Sequence, residues 1–149
     1  KYSDFINSTI HLIRNMVDHG IESKEERIEK TKPQQGKITI DFKDKGSFFE
    51  IKFIDDGGGI NPSNIKNKLI EKGIKSEIEL NSKKVDEIIN MIFLPGFSTK
   101  ESVSEISGRG VGMDAVKNEI EKLKGSIEVS STIDEGSVFT INLPFEKPV

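Results

Sequence analysis

The sequence contains no cysteine. That excludes disulfide staples, thiolate nucleophiles and cysteine-bound zinc, and it fits a reducing cytoplasm. Long apolar runs are missing as well: nothing approaches the roughly 20 residues that a membrane span needs, and the N-terminus lacks the pattern of a signal peptide. A cytoplasmic domain with no membrane contact is therefore expected. Nor does one sign of charge dominate. The 22 basic and 25 acidic residues leave a net charge of -3, with neither a basic field for a nucleic-acid backbone nor the acidic block of a disordered tail. No nucleic-acid partner is expected. What is present is 149 residues, 34% hydrophobic and 32% charged, enough for one core and too few for two ordinary domains. The expectation is a single domain over residues 1–149. Because the chain starts at Lys1 and enters a helical pattern almost at once, it reads as a fragment of a larger multidomain protein.

Both histidines lie in the first amphipathic stretch, I-H-L-I-R-N-M-V-D-H-G from Ile10 to Gly20. On a helix from about Ser3 to His19, at about 100° per residue, His11, Asn15, Asp18 and His19 share one arc. Phe5, Leu12, Ile13, Met16 and Val17 fill the other. Asn and His are indifferent helix formers, so a merely wet face would more naturally carry Glu, Lys or Gln. On this helix alone, a ligand face and a solvated face stand level. Gly20 is placed just past the helix end, where a positive φ costs glycine little.

The charged run after Gly20, broken at Pro33, reads as a short exposed helix and a loop with a solvated surface. From Lys37 the period changes to two. Ile38, Ile40 and Phe42 alternate, Asp44 to Gly46 turns the chain, and Phe49, Ile51 and Phe53 alternate again, which predicts a hairpin with one buried face. Asn61-Pro62 opens a helix carrying Ile65, Leu69 and Ile70, and Gly73 ends it. Ser82 reads as the cap of a helix with Val85, Ile88, Ile89, Ile92 and Phe93. A long irregular stretch to Ser107 has the character of a lid. A helix marked by Val116, Ile120 and Leu123 follows, then strands over Ser126 to Ser131 and Val138 to Leu143. This order predicts an α+β fold, helices on one face of a mixed, mostly antiparallel sheet.

Two glycine clusters carry chemistry. Gly108 to Gly112 opens directly into a helix, whose N-terminal N–H groups and dipole favour a phosphate. Gly57 to Gly59 alone would be a tight turn, but Asp55 beside it is an acid at a strand end, able to accept a hydrogen bond from an exocyclic amine such as that of adenine. Zinc fits poorly, because the two histidines are two turns apart. An amide oxygen from Asn15 suits Mg²⁺, which completes its shell with phosphate and water. Amide, phosphate cradle and acid together point to a Mg-nucleotide. The run Gly110 to Ala115 formally matches G-x-G-x-x-G/A, with Asp134 as a ribose-binding acid, but it follows a polar stretch where a dinucleotide fingerprint follows a buried strand.

Set side by side, H-L-I-R-N-M-V-D-H-G, D-D-G-G-G-I, F-L-P-G-F-S-T-K and G-R-G-V-G-M-D resemble, in this order, the N, G1, F and G2 boxes of the ATP-binding catalytic domain of CheA-like histidine protein kinases. The terminal G-S-V-F-T-I-N-L-P resembles the last box of the same family, so nearly the whole chain is covered. The resemblance implies the two-layer α/β sandwich of the Bergerat type, shared with gyrase and the Hsp90 chaperones, and ATP and Mg²⁺ as cofactors. It implies Asn15 as a Mg²⁺ ligand, His11, Asp18 and His19 near phosphates or metal, with His19 a second metal ligand, and Asp55 reading the adenine amino group. Gly57 and Gly59 would let the backbone pass the base, and Ile60 would line its pocket. Ser98, Thr99 and Lys100 would belong with Phe97 to the ATP lid. Gly108, Arg109, Gly110, Val111 and Gly112 would wrap the phosphates, with Met113 and Ser137 at the base.

Hydrolysing members of the superfamily typically carry a Glu four residues before the N-box Asn, as general base. Here that position is His11. The chain thus resembles a kinase that holds ATP for an external nucleophile, with His11 and Asn15 as catalytic residues. The implied partners are a histidine phosphotransfer domain and a response regulator, with a receptor-coupling protein reached through domains absent here, and a dimeric parent protein. A nucleotide-binding regulatory module without transfer activity and an ATP hydrolase of the same fold are the competing readings.

Overall fold

The alternation of apolar and polar residues is expressed as two hairpins. The computed structural model describes residues 2–97 and 112–145. In it, β1 (Ile38–Asp44) pairs with β2 (Phe48–Asp55), and β3 (Ser126–Thr132) pairs with β4 (Gly136–Pro144). β2 and β4 join the hairpins, giving the order β1-β2-β4-β3 with each described pairing antiparallel. Register then aligns the inward positions in rows across the sheet. Ile51, Ile141 and Ile127 form one row and Phe53, Phe139 and Val129 the next. Both rows are buried. The same period continues one step further and sets Asp55, Ser137 and Ser131 in a third row. The pattern that builds the core therefore also delivers a carboxylate and two hydroxyls to the inner face, where β2 ends.

Helices cover that face. They are α1 (Ser3–Asn15) with a π-helical turn over Met16–Gly20, α2 (Lys24–Glu29), α3 (Pro62–Glu71), α4 (Glu77–Asn81), α5 (Val85–Ile89) with a 3₁₀ turn over Asn90–Phe93, and α6 (Met113–Lys122). Leu12 of α1, Leu69 of α3, and Val116 and Ile120 of α6 are fully enclosed in one core with the two apolar rows. Emptying such a position to Ala costs about 2–5 kcal/mol. The result is the expected α+β sandwich. Asn61 caps α3 by accepting the Ser63 N–H at 2.9 Å, ahead of Pro62 in the first turn. Asn90 ties the helices to the edge strand: its amide accepts the Val129 N–H at 2.8 Å and donates to the Val129 carbonyl at 3.0 Å. Among the described residues, no helix is long and apolar enough to cross a membrane.

The structure corrects several expectations. At the end of α1 the Ile21 N–H reaches back five residues to the Met16 carbonyl in a wider turn, and Val17, on the same side of the helix as the exposed Ile6 and Ile10, is 51% exposed. Gly20 is not in the left-handed region; its carbonyl instead accepts the Gly58 N–H at 2.9 Å. Ser82 does not open a helix. Ser76 and Glu79 form a capping box that starts α4 earlier, and Ser82 closes it by donating to the Glu79 carbonyl. β1 is the sheet edge, so its inward Phe42 stays 67% exposed.

The largest departure is the charged run. Arg27, on α2, is 0% exposed, and the Glu22 side chain is 4% exposed. Glu22 pairs with Arg27 at 2.9 Å, Lys32 at 2.6 Å and Lys30 at 3.2 Å. Arg27 also pairs with Asp56 at 3.0 Å, and Lys30 with Asp134 at 2.8 Å. Burial pushes the Glu22 carboxyl up, but hydrogen bonds from Lys32, its own backbone N–H and Lys30, with the Lys32 charge, outweigh it and hold the pKa at about 2 against 4.5 ordinarily. A depressed carboxyl contributes stability that is fully present above about 4.5 and lost as the pH falls toward about 2. We expect Glu22→Gln to be less stable near neutral pH by about 3 kcal/mol, a gap that closes on acidification across that window. Urea unfolding as a function of pH checks this; a gap independent of pH would contradict it.

Candidate functional site

At the polar end of the sheet, the third row meets the end of α1. Asn15, Met16, His19 and Gly20 from the first helical segment, Asp55 from the end of β2, Gly59 and Ile60 after it, Met113 from α6, and Ser137 from β4 line one cavity of about 320 Å³. Typical small-ligand pockets run from roughly 300 to 1,000 Å³. Ile65, Lys68, Ile92, Phe97 and Phe139 complete the wall. A polar depression along α3, lined by Asn64, Asn67, Lys68, Glu71 and Lys72, is built from one helix alone and gathers no groups from the sheet.

Asp55 is 5% exposed. Burial raises its pKa, the neighbouring charges of Asp56 and Glu22 push the same way, and backbone N–H groups of Gly57 and Ser137 oppose. The Gly57 N–H donates to Asp55 Oδ1 at 2.9 Å. Beside it, the Ser131 hydroxyl accepts the Ile60 N–H at 2.7 Å and donates to the Gly136 carbonyl at 3.0 Å. Its one proton is thereby committed, so at the 2.9 Å Ser131–Ser137 contact Ser137 is the donor. The lone pairs of Ser137 remain as acceptors. A buried carboxylate beside a hydroxyl acceptor suits a planar ligand that carries an amino group, and the remaining wall of Ile, Met and Phe suits its flat apolar body.

Around Asn15 the chemistry differs. Its Nδ2 donates weakly to Met113 Sδ at 3.4 Å, and Oδ1 is the opposite arm of the same planar amide. Among the described residues no three His, Asp or Glu side chains cluster as a metal site. Asn15 and His19 both reach the cavity wall, and an amide oxygen is a ligand of the kind that hard cations accept. α6 adds a helix start: Gly112 occupies its N-cap position with no side-chain cap, leaving first-turn N–H groups for an anion.

Of the residues singled out from the sequence, Asn15, His19, Asp55, Gly59, Ile60, Met113 and Ser137 are brought to the cavity wall. His11, Asp18, Gly57 and Gly112 are not on that wall. His11 is half-buried one turn before Asn15, and Asp18 is exposed. Ser98, Thr99, Lys100, Gly108, Arg109, Gly110 and Val111 lie outside the described residues. Lys68 was not read as a site residue; its ammonium lies 4.5 Å from the Phe97 ring centroid. Its spacing of three from Ile65, on the inner side of α3, was the available signal.

Comparison with known proteins identifies the family and the fold. The profile of the histidine kinase-, DNA gyrase B- and HSP90-like ATPase family matches residues 6–147. The chemotaxis protein CheA of Bacillus subtilis is 46% identical over 135 residues, covering 91% of this chain and 20% of that protein. The sensor histidine kinase CheAY of Helicobacter pylori is 47% identical over 135 residues, covering 91% of this chain and 17% of that protein. The chain thus spans about a fifth of the length of these relatives, or less. In fold, it is similar to the catalytic domain of histidine kinase ThkA, with a TM-score of 0.55 at 18% identity, over 97% of this chain and 67% of that one.

Two glycines of the D-D-G-G-G-I segment are needed for close backbone approach. A Cβ at Gly57 would stand 2.0 Å from the Gly20 carbonyl oxygen, and one at Gly59, where φ is +75°, would stand 2.3 Å from the Thr132 carbonyl oxygen. The first contact seats the end of β2 against the helix end. Gly57→Ala is expected to destabilise the fold by about 2 kcal/mol or more, measured by chemical unfolding; a stability equal to that of the parent chain would contradict the packing described.

Proposed function

This chain belongs to the family of histidine kinase-, DNA gyrase B- and HSP90-like ATPases, and from that membership we propose that it binds Mg-ATP and transfers the γ-phosphoryl group to a histidine on a separate phosphotransfer domain. The setting is a two-component pathway of the chemotaxis type, in the cytoplasm, with a response regulator as the downstream partner. The observation that carries the reading is the convergence of Asn15 and His19 with Asp55 and Ser137 on one cavity.

Asp55 accepts a hydrogen bond from the adenine amino group, and the apolar wall holds the ring. Asn15 Oδ1, with His19, is the protein's share of the Mg²⁺ shell; the ion supplies charge neutralisation on the phosphates when bound. The N-terminal turn of α6 faces the phosphates. Phosphoryl transfer needs positioning and charge stabilisation more than covalent help from the enzyme, and these groups supply both. One turn before Asn15 stands His11, with no carboxylate to activate water. That favours an external imidazole nucleophile over hydrolysis, and assigns general-base work to that imidazole or to His11.

Incubated with γ-labelled ATP, Mg²⁺ and a separate histidine phosphotransfer domain, the chain is expected to place acid-labile label on that domain. Binding of ATP without any labelled phosphohistidine would contradict transfer, and sustained release of phosphate by the chain alone would favour the hydrolase reading. Asp55→Ala is expected to weaken ATP binding about 10- to 100-fold, and Asn15→Asp to alter its Mg²⁺ dependence. An unchanged affinity in Asp55→Ala would overturn the placement of adenine.

A further inference from the structure

The Asp56–Gly57 peptide group is held from both sides. On one side its carbonyl, that of Asp56, accepts from Lys32 Nζ at 3.0 Å and from Arg27 Nη1 at 3.2 Å. On the other, its N–H, that of Gly57, donates to Asp55 Oδ1 at 2.9 Å. A trans peptide is planar, with C=O and N–H pointing in opposite directions. Fixing the oxygen therefore aims the hydrogen.

Each cation is itself immobilised. Arg27 Nε donates to the Pro33 carbonyl at 2.6 Å, Nη1 to Glu22 at 2.9 Å and Nη2 to Asp56 Oδ2 at 3.0 Å. Lys32 donates to Glu22 at 2.6 Å and to the Gly57 carbonyl at 2.9 Å. Asp56 Oδ1 in turn accepts the Lys37 N–H at 2.8 Å. Neither cation lines the cavity, and the solvated surface expected of this charged run would need none of these contacts.

We propose that Arg27 and Lys32 are positioning residues for base recognition: by clamping the Asp56 carbonyl they aim the Gly57 N–H at Asp55 Oδ1, which fixes the carboxylate rotamer and leaves its remaining lone pairs for the exocyclic amine of the nucleobase. Two cations on the oxygen also polarise the peptide, which strengthens its N–H as a donor to a buried carboxylate. The clamp acts on specificity. It contributes to the preference for a 6-amino purine, and a triphosphate whose purine lacks that group does not feel it.

This inference rests on the proposed placement of adenine against Asp55, so the test carries a control for each. Binding of ATP and of the triphosphate of unsubstituted purine riboside is measured for the parent chain, Lys32→Met, Lys32→Arg and Arg27→Lys, with thermal unfolding of the same samples. The parent chain is expected to prefer ATP by about 10-fold or more. In Lys32→Met the preference should fall about 3- to 10-fold, through weaker ATP binding at unchanged affinity for the analogue, and Lys32→Arg should restore most of it. Arg27→Lys keeps the charge but loses the fork, and should lose selectivity likewise. No preference in the parent chain would overturn the adenine placement itself. A parent preference that persists in Lys32→Met and Arg27→Lys, or a loss shared equally by both nucleotides, would overturn the clamp.

Discussion

A carboxylate on the inner face of a β-sheet is expensive to keep, and the structure around Asp55 is arranged to keep it. Burial disfavours its charged form, and Asp56 and Glu22 add to the penalty, so its pKa is raised. Against that stand two backbone N–H groups, from Gly57 and Ser137. The Gly57 N–H exists in that direction only because its peptide is seated on the Gly20 carbonyl side, where no Cβ fits, and is gripped at its oxygen by Arg27 and Lys32. From one buried acid, the need for a glycine, a helix end and two cations follows.

The same chain of contacts couples the two ends of the cavity. Glu22 lies two residues beyond Gly20, which closes the helical segment that carries Asn15 and His19. It binds the same two cations that hold the Asp56 carbonyl. The segment that carries Asn15 and His19 and the segment that carries Asp55 are thus fastened to one ion cluster. Such clusters contribute less to stability than their Coulomb energy suggests, because desolvation offsets the gain. What they fix is geometry. For the proposed phosphoryl transfer, fixed geometry between Asp55 and Asn15 is the useful product.

Much of this was legible in the amino-acid pattern. Period-two alternation placed all four strands, and the Asn61-Pro62 start of α3 was readable from the cap chemistry alone. The site was half legible: Asp55 and Asn15 stood out by residue type. A sharper signal lay in the period itself, because Asp55 follows Ile51 and Phe53 at inward spacing, where an unpaired acid has no structural use. The charged run hides its burial because Glu22, Arg27 and Lys32 have the same pattern whether they face water or one another. Only tertiary pairing, across 29 residues from Arg27 to Asp56, separates the two. The π-helical turn after Asn15 likewise leaves no trace in composition. Ser82 has the chemistry of an N-cap, but the Ser76–Glu79 capping box starts a helix before it, so Ser82 falls at that helix's C-terminal end.

In the proposed function Asp55 reads the base and Asn15 the metal within one cavity. A crystal structure of the chain with Mg²⁺ and a non-hydrolysable ATP analogue tests it most directly. The account predicts the adenine amino group within hydrogen-bond distance of the Asp55 carboxylate, the ring against Ile60 and Met113, and Asn15 Oδ1 on the ion. A nucleotide bound with its base away from Asp55, or a metal shell without Asn15, would contradict it.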